Sequence, residues 1–300
     1  MNTEKFKKKL VEFHDKNYKK LLLIPLALFI FGFVYMGIFY SQNNDFIHKD
    51  ISLTGGTSVT INDKINSDEL KNAISDKLES VNVREISDLI TREQIAVIVE
   101  TKSGGEQTRN VLEDFLGYEL NEENSSFEFT GSSLSENFYN QLLIAILIAF
   151  VLMALVVFVQ FKVLIPSLAV IVSAFADIFF TLIVVNIFGI PISTAGIVAF
   201  LMLIGYSVDT DILLTNKVLR REGTVNKKIW SSFKTGITMT IIAFCSALIS
   251  LFVVGSFSSV LNQIFLIMTI GLGFDVFNTW LTNVSIIKWY VLRKQKKNEN

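Results

Sequence analysis

Six apolar blocks, each near the roughly 20 residues that a helix rising 1.5 Å per residue needs to cross a bilayer, dominate this chain of 300 residues. They fall near 21 to 40, 140 to 160, 164 to 188, 192 to 215, 235 to 255 and 261 to 291. The composition is 51% hydrophobic, with 26 Phe and only 3 Pro, and the apolar residues are gathered into those blocks. A polytopic α-helical membrane protein with six transmembrane helices is therefore predicted. Lys5, Lys7, Lys8, Lys9, Lys16, Lys19 and Lys20 precede the first block. Its length, and the lack of a small-residue cleavage site after it, make it an uncleaved anchor rather than a signal peptide.

Orientation follows from the basic residues. The N-terminal arm, Lys162, the link with Lys217, Arg220, Arg221, Lys227, Lys228 and Lys234, and the tail with Arg293, Lys294, Lys296 and Lys297 alternate with two uncharged links, Asn186 to Pro191 and Gly255 to Val260. Both termini are thus expected in the cytoplasm. The expected organisation is a basic arm (1–20), a first span (21–40), an extracytoplasmic domain (41–138), spans two to six (139–292) and a cytoplasmic tail (293–300). The whole-chain net charge of -1 hides an asymmetry, because residues 41–138 hold 8 basic and 19 acidic side chains, a net of -11.

The outer segment reads as βαββαβ, an α+β ferredoxin-like domain. The predicted strands are Ser52 to Ile61, Val81 to Leu89, Gln94 to Thr101 and Phe127 to Thr130. In the first, Gly55-Gly56 marks a bulge or a close approach. One helix starts at an N-cap Ser67 and aligns Leu70, Ile74 and Leu78, and the other covers Glu106 to Leu116. No catalytic constellation is visible. Gly104-Gly105 lacks the Lys and Ser or Thr of a phosphate loop, and the acidic surface argues against nucleic acid. Cys245 is alone in the fifth span, and His14 and His48 are isolated. Neither a metal, a cofactor nor an enzymatic activity is expected; the domain reads as a binding or lever module.

Four carboxylates lie within the spans: Asp177 in the third, Asp209 and Asp211 in the fourth, Asp275 in the sixth. At roughly 2.5 to 3.5 kcal/mol each, leaving all four unpaired would cost on the order of 10 kcal/mol. They must be protonated, paired or facing water. Ser173 and Thr181 flank Asp177 at i-4 and i+4, and Asn278, Thr279 and Thr282 follow Asp275 along one face. Those polar stripes point inward. Asp209 and Asp211 point about 200° apart, so the fourth helix has partners on two sides: Asp209 shares a face with Gly205 and Asn216, Asp211 with Ser207 and Thr215. Lys234 and Lys288 are the nearest cations, and an Asp209 to Lys234 pair is geometrically accessible. Asp209, Lys234, Asp177 and Asp275 are the expected ion-coupling residues; Asp211 and Gly205 are assigned to a subunit interface. The plainer reading is that such Asp residues only bind helices together. Gly196, Gly205, Gly271 and Gly273 read as close-packing positions.

Leu53-Thr54-Gly55-Gly56-Thr57 after the first span and Gly205-Tyr206-Ser207-Val208-Asp209 in the fourth resemble the paired signatures of the SecF family. Ala176-Asp177 and Lys234-Thr235 also match, and the spacing agrees over nearly the whole chain. Some positions depart from the bacterial pattern: Ser52-Leu53 stand for Asp-Phe, Lys234 for Arg, and Asp209-Thr210-Asp211 for Asn-Asp-Thr. With Asp275 to Trp280 in place of a small-residue run, they resemble archaeal members. The resemblance implies half of an RND-type transporter fold and a role with SecD in late protein export across the cytoplasmic membrane. Cation flow would be coupled to the outer domains, Asp209 would titrate, and Gly55, Gly56 and Thr57 would form a signature strand. It also implies a SecYE-type translocon, unfolded preprotein and membrane lipid as partners. Two alternatives stay open: a non-conducting stabiliser of the translocon, and half of an RND small-molecule pump, for which a larger, apolar-lined outer domain is expected.

Overall fold

A computed structural model describes residues 15–88, 91, 93–220, 223–254 and 258–299. Most of the basic arm, Leu89, Arg221 and Gly255 lie outside the described residues. Six helices are long and apolar enough to cross a membrane: Asp15–Asn43, Ser135–Phe161, Leu164–Ile187, Thr194–Arg220, Val225–Val254 and Val260–Lys297. Within them we label α1 (Leu23–Asn43), α5 (Ser132–Phe161), α6 (Leu164–Ile187), α7 (Thr194–Arg220), α8 (Val225–Val254), α9 (Ser259–Asn278) and α10 (Val284–Glu299). Between α1 and α5 lie α2 (Ile51–Thr54), β1 (Gly56–Ile61), α3 (Ser67–Ile74), β2 (Asn82–Ser87), β3 (Gln94–Thr101), α4 (Gly105–Leu116) and β4 (Ser125–Thr130).

Two helices form the centre of the bundle. In the most apolar stretches of α6 and α7, 61% and 56% of residues are buried, against 6% in α5 and 17% in α8. α6 and α7 pack around Val185, Ile197, Phe200 and Leu203, which meet Ile267, Met268 and Leu272 of α9. Small residues set the approach. A Cβ on Gly271 would collide with Leu203, and one on Gly196 would lie 2.7 Å from Gln263 Oε1, whereas Gly205 has open space around it and Gly273 only an ordinary contact at 3.9 Å. The close-packing expectation holds for the first pair and fails for the second. Gly236, where a Cβ would lie 2.9 Å from Trp280, is a further tight approach that the sequence pattern did not single out.

The sixth span is not one regular helix. Thr279–Asn283 is a π-turn, closed by the Val284 N–H donating to Thr279 O. Such single-turn widenings inside helices are frequent at functional positions.

The outer domain has the predicted βαββαβ order, with all pairings antiparallel and strand order β2-β3-β1-β4. Val59 pairs with Val99 on one side and Phe127 on the other, and the alternation puts Val59, Ile61, Val97 and Val99 on the face covered by Leu70, Ile74 and Leu112. Several boundaries differ from expectation: α3 ends at Ile74, before Leu78, and β2 is Asn82–Ser87 within the expected Val81 to Leu89. Residues 51–54 are a helical turn rather than strand, because Asp50 caps them by accepting from the Ser52 N–H at 3.1 Å. The N-cap of α3 is Asn66, accepting from the Asp68 and Glu69 N–H groups, with Ser67 already helical. The last strand begins at Ser125. Gly56 has φ 147°, and a Cβ there would collide with Thr101 O, so the Gly-Gly signature marks a close approach between strands.

The domain is joined to the bundle through the segment after α1. Ile192 N–H donates to His48 O at 2.6 Å, Asp50 N–H to Ile192 O at 3.0 Å, and Thr194 N–H to Ser52 Oγ at 3.2 Å. The start of α7 is thereby anchored under the outer domain. At the opposite end of the bundle, Arg220 donates to Gln160 O and Lys228 to Val218 O. The outer domain and the basic links thus sit at opposite ends of the six helices.

Candidate functional site

Three of the four intramembrane carboxylates meet where α6, α7 and the sixth span converge. Asp177 and Asp211 are 0% exposed and Asp275 is 1% exposed. Asp177 receives Ser207 Oγ–H from α7 on one oxygen and Asn278 Nδ2–H, at 2.7 Å, on the other. Asp275 accepts from Thr240 of α8 at 3.1 Å and from Thr279 of its own helix at 3.3 Å. Asp211 accepts from Asn283 Nδ2–H at 2.7 Å, and Ser173 and Thr279 lie alongside its carboxyl.

Among the described residues, the donors bonded to these carboxylates are all neutral. Among the described residues no ion pair reaches Asp177, Asp211 or Asp275. Lys288, which is 1% exposed, is directed elsewhere: its Nζ pairs with Asp15 at 2.6 Å and lies over the Tyr18 ring. Three carboxyl groups in an apolar interior without basic partners require compensation, by protons, by water or by a bound cation. That requirement marks the cluster as the candidate functional site.

The fourth helix reverses the expected division of labour. Asp209 is exposed on the bundle surface, and no ion pair joins it to Lys234, which is also exposed, among the described residues. Asp211, expected at a subunit interface, is instead wholly enclosed by its own chain. The reason is the stripe it stands on. Ser207, Asp211 and Thr215 are each 1% exposed or less, one turn apart, and face α6 and the π-turn. Gly205 and Asp209 lie on the outer stripe with Val198, Met202 and Tyr206, which are 42, 44 and 50% exposed. Asp177 and Asp275 do face inward as expected, and they join Asp211 rather than Asp209. Gly55, Gly56 and Thr57 lie far from this cluster in sequence and fold; Thr57 Oγ1–H donates to Ser103 O at 2.8 Å within the outer domain.

Sequence reasoning missed Asn283 and Thr240. Asn283 is placed by the π-turn, whose extra residue shifts the register of the helix face, and period-3.6 counting does not anticipate it. Thr240 stands in the run Thr235, Thr238, Thr240 at the start of the fifth span. That excess of hydroxyls in an apolar helix was the available signal.

A family model described as protein export membrane protein SecD/SecF, C-terminal, matches residues 111–293. The protein-export membrane protein SecF of Methanocaldococcus jannaschii is 34% identical over 289 residues, covering 94% of this chain and 99% of that protein. The protein of the same description from Methanothermobacter thermautotrophicus is 35% identical over 283 residues, covering 92% and 93%. Among solved structures, SecDF from Thermus, described as a translocon-associated membrane protein, superposes with a TM-score of 0.71 at 17% identity. The match covers 91% of this chain and 38% of the SecDF chain, so this chain spans well under half of that larger protein.

Proposed function

The chain belongs to the SecF family of protein-export membrane proteins, and from that premise we propose that it works with SecD in the late passage of preproteins across the cytoplasmic membrane. Both termini are cytoplasmic in this reading, and residues 41–138 act outside as a lever on the emerging chain, beside a SecYE-type translocon. The outer stripe of α7, with Gly205 and Asp209, receives the helices of SecD. An exposed carboxylate beside an open glycine is costly against lipid and suited to a polar partner.

Coupling to cation movement is carried by one observation: Asp177, Asp211 and Asp275 are buried together and, among the described residues, bonded only to neutral donors. Moving one charge through 100 mV supplies about 2.3 kcal/mol, enough to bias a lever whose states differ by a few kcal/mol. The anchored start of α7 gives the displacement a route from the cluster to the outer domain. A second reading, a non-conducting stabiliser of the translocon, is favoured by the full hydrogen bonding of Asp177 and Asp275, which suits helix cross-links. Export into vesicles holding the reconstituted complex separates them. Coupling predicts that late-stage export rises with an imposed potential; a rate independent of potential contradicts coupling and supports the stabiliser.

A further inference from the structure

The sheet of the outer domain turns its helix-free face toward the bundle, and a cavity of about 310 Å³ lies between them. Its sheet wall follows from the pairing. Because Val59 and Val99 point to the helices, Ser58 and Glu100 point the other way, and the register continues that row to Glu128 on β4. The opposite wall is the outer end of the bundle, with Thr194 at the start of α7 and Val260 and Gln263 on α9; Asp50 and Ile51 line the cavity between the two.

Negative charge is in excess there. Asp50, Glu100 and Glu128 share the lining with a single guanidinium, Arg84. Arg84 is already committed to one oxygen of Glu100, whose other oxygen accepts Asn82 Nδ2–H at 3.0 Å. Asp50 is less well served. It is 8% exposed, and its Oδ1 accepts from the Ser52 N–H at 3.1 Å. Among the described residues its Oδ2 accepts no hydrogen bond and stands 4.0 Å from Arg84. A carboxylate oxygen so enclosed calls for a further cation. Glu100 reports the same excess, because burial pushes its carboxyl above the ordinary 4.5 and the Asp50 charge adds to that rise against Arg84.

We propose that this cavity receives a primary alkylammonium, presented by a lysyl side chain of the chain being exported; the proposal rests on the reading that residues 41–138 act on that chain. A metal ion does not suit the lining, since among the described residues no group of three His, Cys, Asp or Glu side chains could hold one. A guanidinium suits it less than an ammonium, because its fork asks for both oxygens of one carboxylate and Asp50 offers one. An ammonium is a point charge on an aliphatic stem. Ile51, Ile98 and Val260 offer apolar surface to the stem, and Ser58, Thr60 and Thr130 bring hydroxyl oxygens to the remaining N–H groups. Glu128, exposed on the edge strand β4, adds a field that draws cations in. Asp50 also belongs to the strap that ties the outer domain to α7, through its N–H on Ile192 O. Occupancy therefore bears on the joint between lever and bundle.

The test uses the full chain assembled with SecD in lipid nanodiscs. The probe is a capped heptapeptide of serine and threonine around one central lysine, carrying a neutral fluorophore and read by anisotropy. Saturable binding is expected, weaker by about 10-fold or more when norleucine replaces the lysine. Asp50→Asn keeps the capping oxygen and removes the charge; it should weaken the lysine peptide about 10-fold and leave the norleucine peptide unchanged. Glu128→Gln, at an exposed position where folding is not at stake, should cost about 3-fold, and Glu106→Gln, on the helix-covered side, less than about 2-fold. Equal binding of the two peptides, or a lysine peptide indifferent to both Asp50→Asn and Glu128→Gln, overturns the site. Free cadaverine is the second arm. Displacement of the peptide by cadaverine at the peptide's own half-saturating concentration assigns the pocket to a free amine and overturns the exported chain as its source. Binding is read without export, so the two readings fail separately. Lysine-dependent binding with export indifferent to Asp50→Asn keeps the site and removes the lever. Export lost in Asp50→Asn without lysine-dependent binding removes the site and keeps the lever.

Discussion

Asn283 donates its amide N–H to Asp211 at 2.7 Å, tying the π-turn of the last span to the helix that carries the family signature. The bond is inside a bundle where neither residue is exposed. Asn283→Leu removes the donor and leaves Asp211 without its hydrogen bond. A loss of about 1–3 kcal/mol in unfolding free energy is expected, read by denaturation in mixed micelles. Asn283→Asp, which places a second carboxyl against the first, should be worse than Asn283→Leu if Asp211 is ionised.

Ser207 and Asn278 hold the two oxygens of Asp177 from different helices. Ser207→Ala should cost about 1–3 kcal/mol, because it strands a buried oxygen. In combination with Asp177→Ala the effects should be strongly non-additive, with a coupling of about 0.5–3 kcal/mol in a double-mutant cycle. Additive losses would mean that the Ser207–Asp177 bond does not form.

Gly271 and Gly205 are both helical glycines in apolar spans, and the structure separates them. Gly271→Ala drives a methyl into Leu203 and should destabilise the chain by about 1–3 kcal/mol. Gly205→Ala meets open space and should leave the isolated chain within about 0.5 kcal/mol of wild type. Its effect should instead be seen in the amount of SecD recovered with the chain.

Most of the architecture is legible without coordinates, because apolar block length fixes the spans and hydrophobic alternation fixes the strands. The pocket is legible only in part. The 200° separation of Asp209 and Asp211 correctly puts them on opposite faces, yet the family match favours Asp209 for the titrating role. Ser207 and Thr215 on the face of Asp211 were the better guide, since the same kind of polar stripe correctly turns Asp177 and Asp275 inward. The π-turn was beyond reach, because nothing in Thr279-Trp280-Leu281-Thr282-Asn283 distinguishes five residues per turn from four. Thr181, expected on the inward polar stripe of Asp177, spends its hydroxyl on its own helix at Asp177 O.

Asp45, at the junction of α1 with the outer domain, titrates below the ordinary carboxylate value of 3.8. Burial alone would raise it, but hydrogen bonds from Lys49, Tyr139 and the Phe46 N–H, together with the Lys49 charge, outweigh burial. The unfolded chain therefore binds this proton more readily than the folded one. Its stabilisation is complete above the unfolded value and is lost as pH falls through the folded value. The stability difference between wild type and Asp45→Asn should hold steady near neutrality and shrink below about pH 4. A difference that stays constant into acid would contradict the assignment.

The central claim is that Asp211, rather than Asp209, is the coupling carboxylate. The direct measurement compares late-stage export by complexes carrying Asp211→Asn and Asp209→Asn at one fixed membrane potential, with equal amounts of chain and SecD in the vesicles. The account predicts that Asp211→Asn loses the potential-driven part of export, a drop of about 10-fold or more if about 1.4 kcal/mol or more of coupling is removed, and that Asp209→Asn, once assembled, keeps it. Export at the wild-type rate by Asp211→Asn, with the potential-driven part lost in Asp209→Asn, would contradict it.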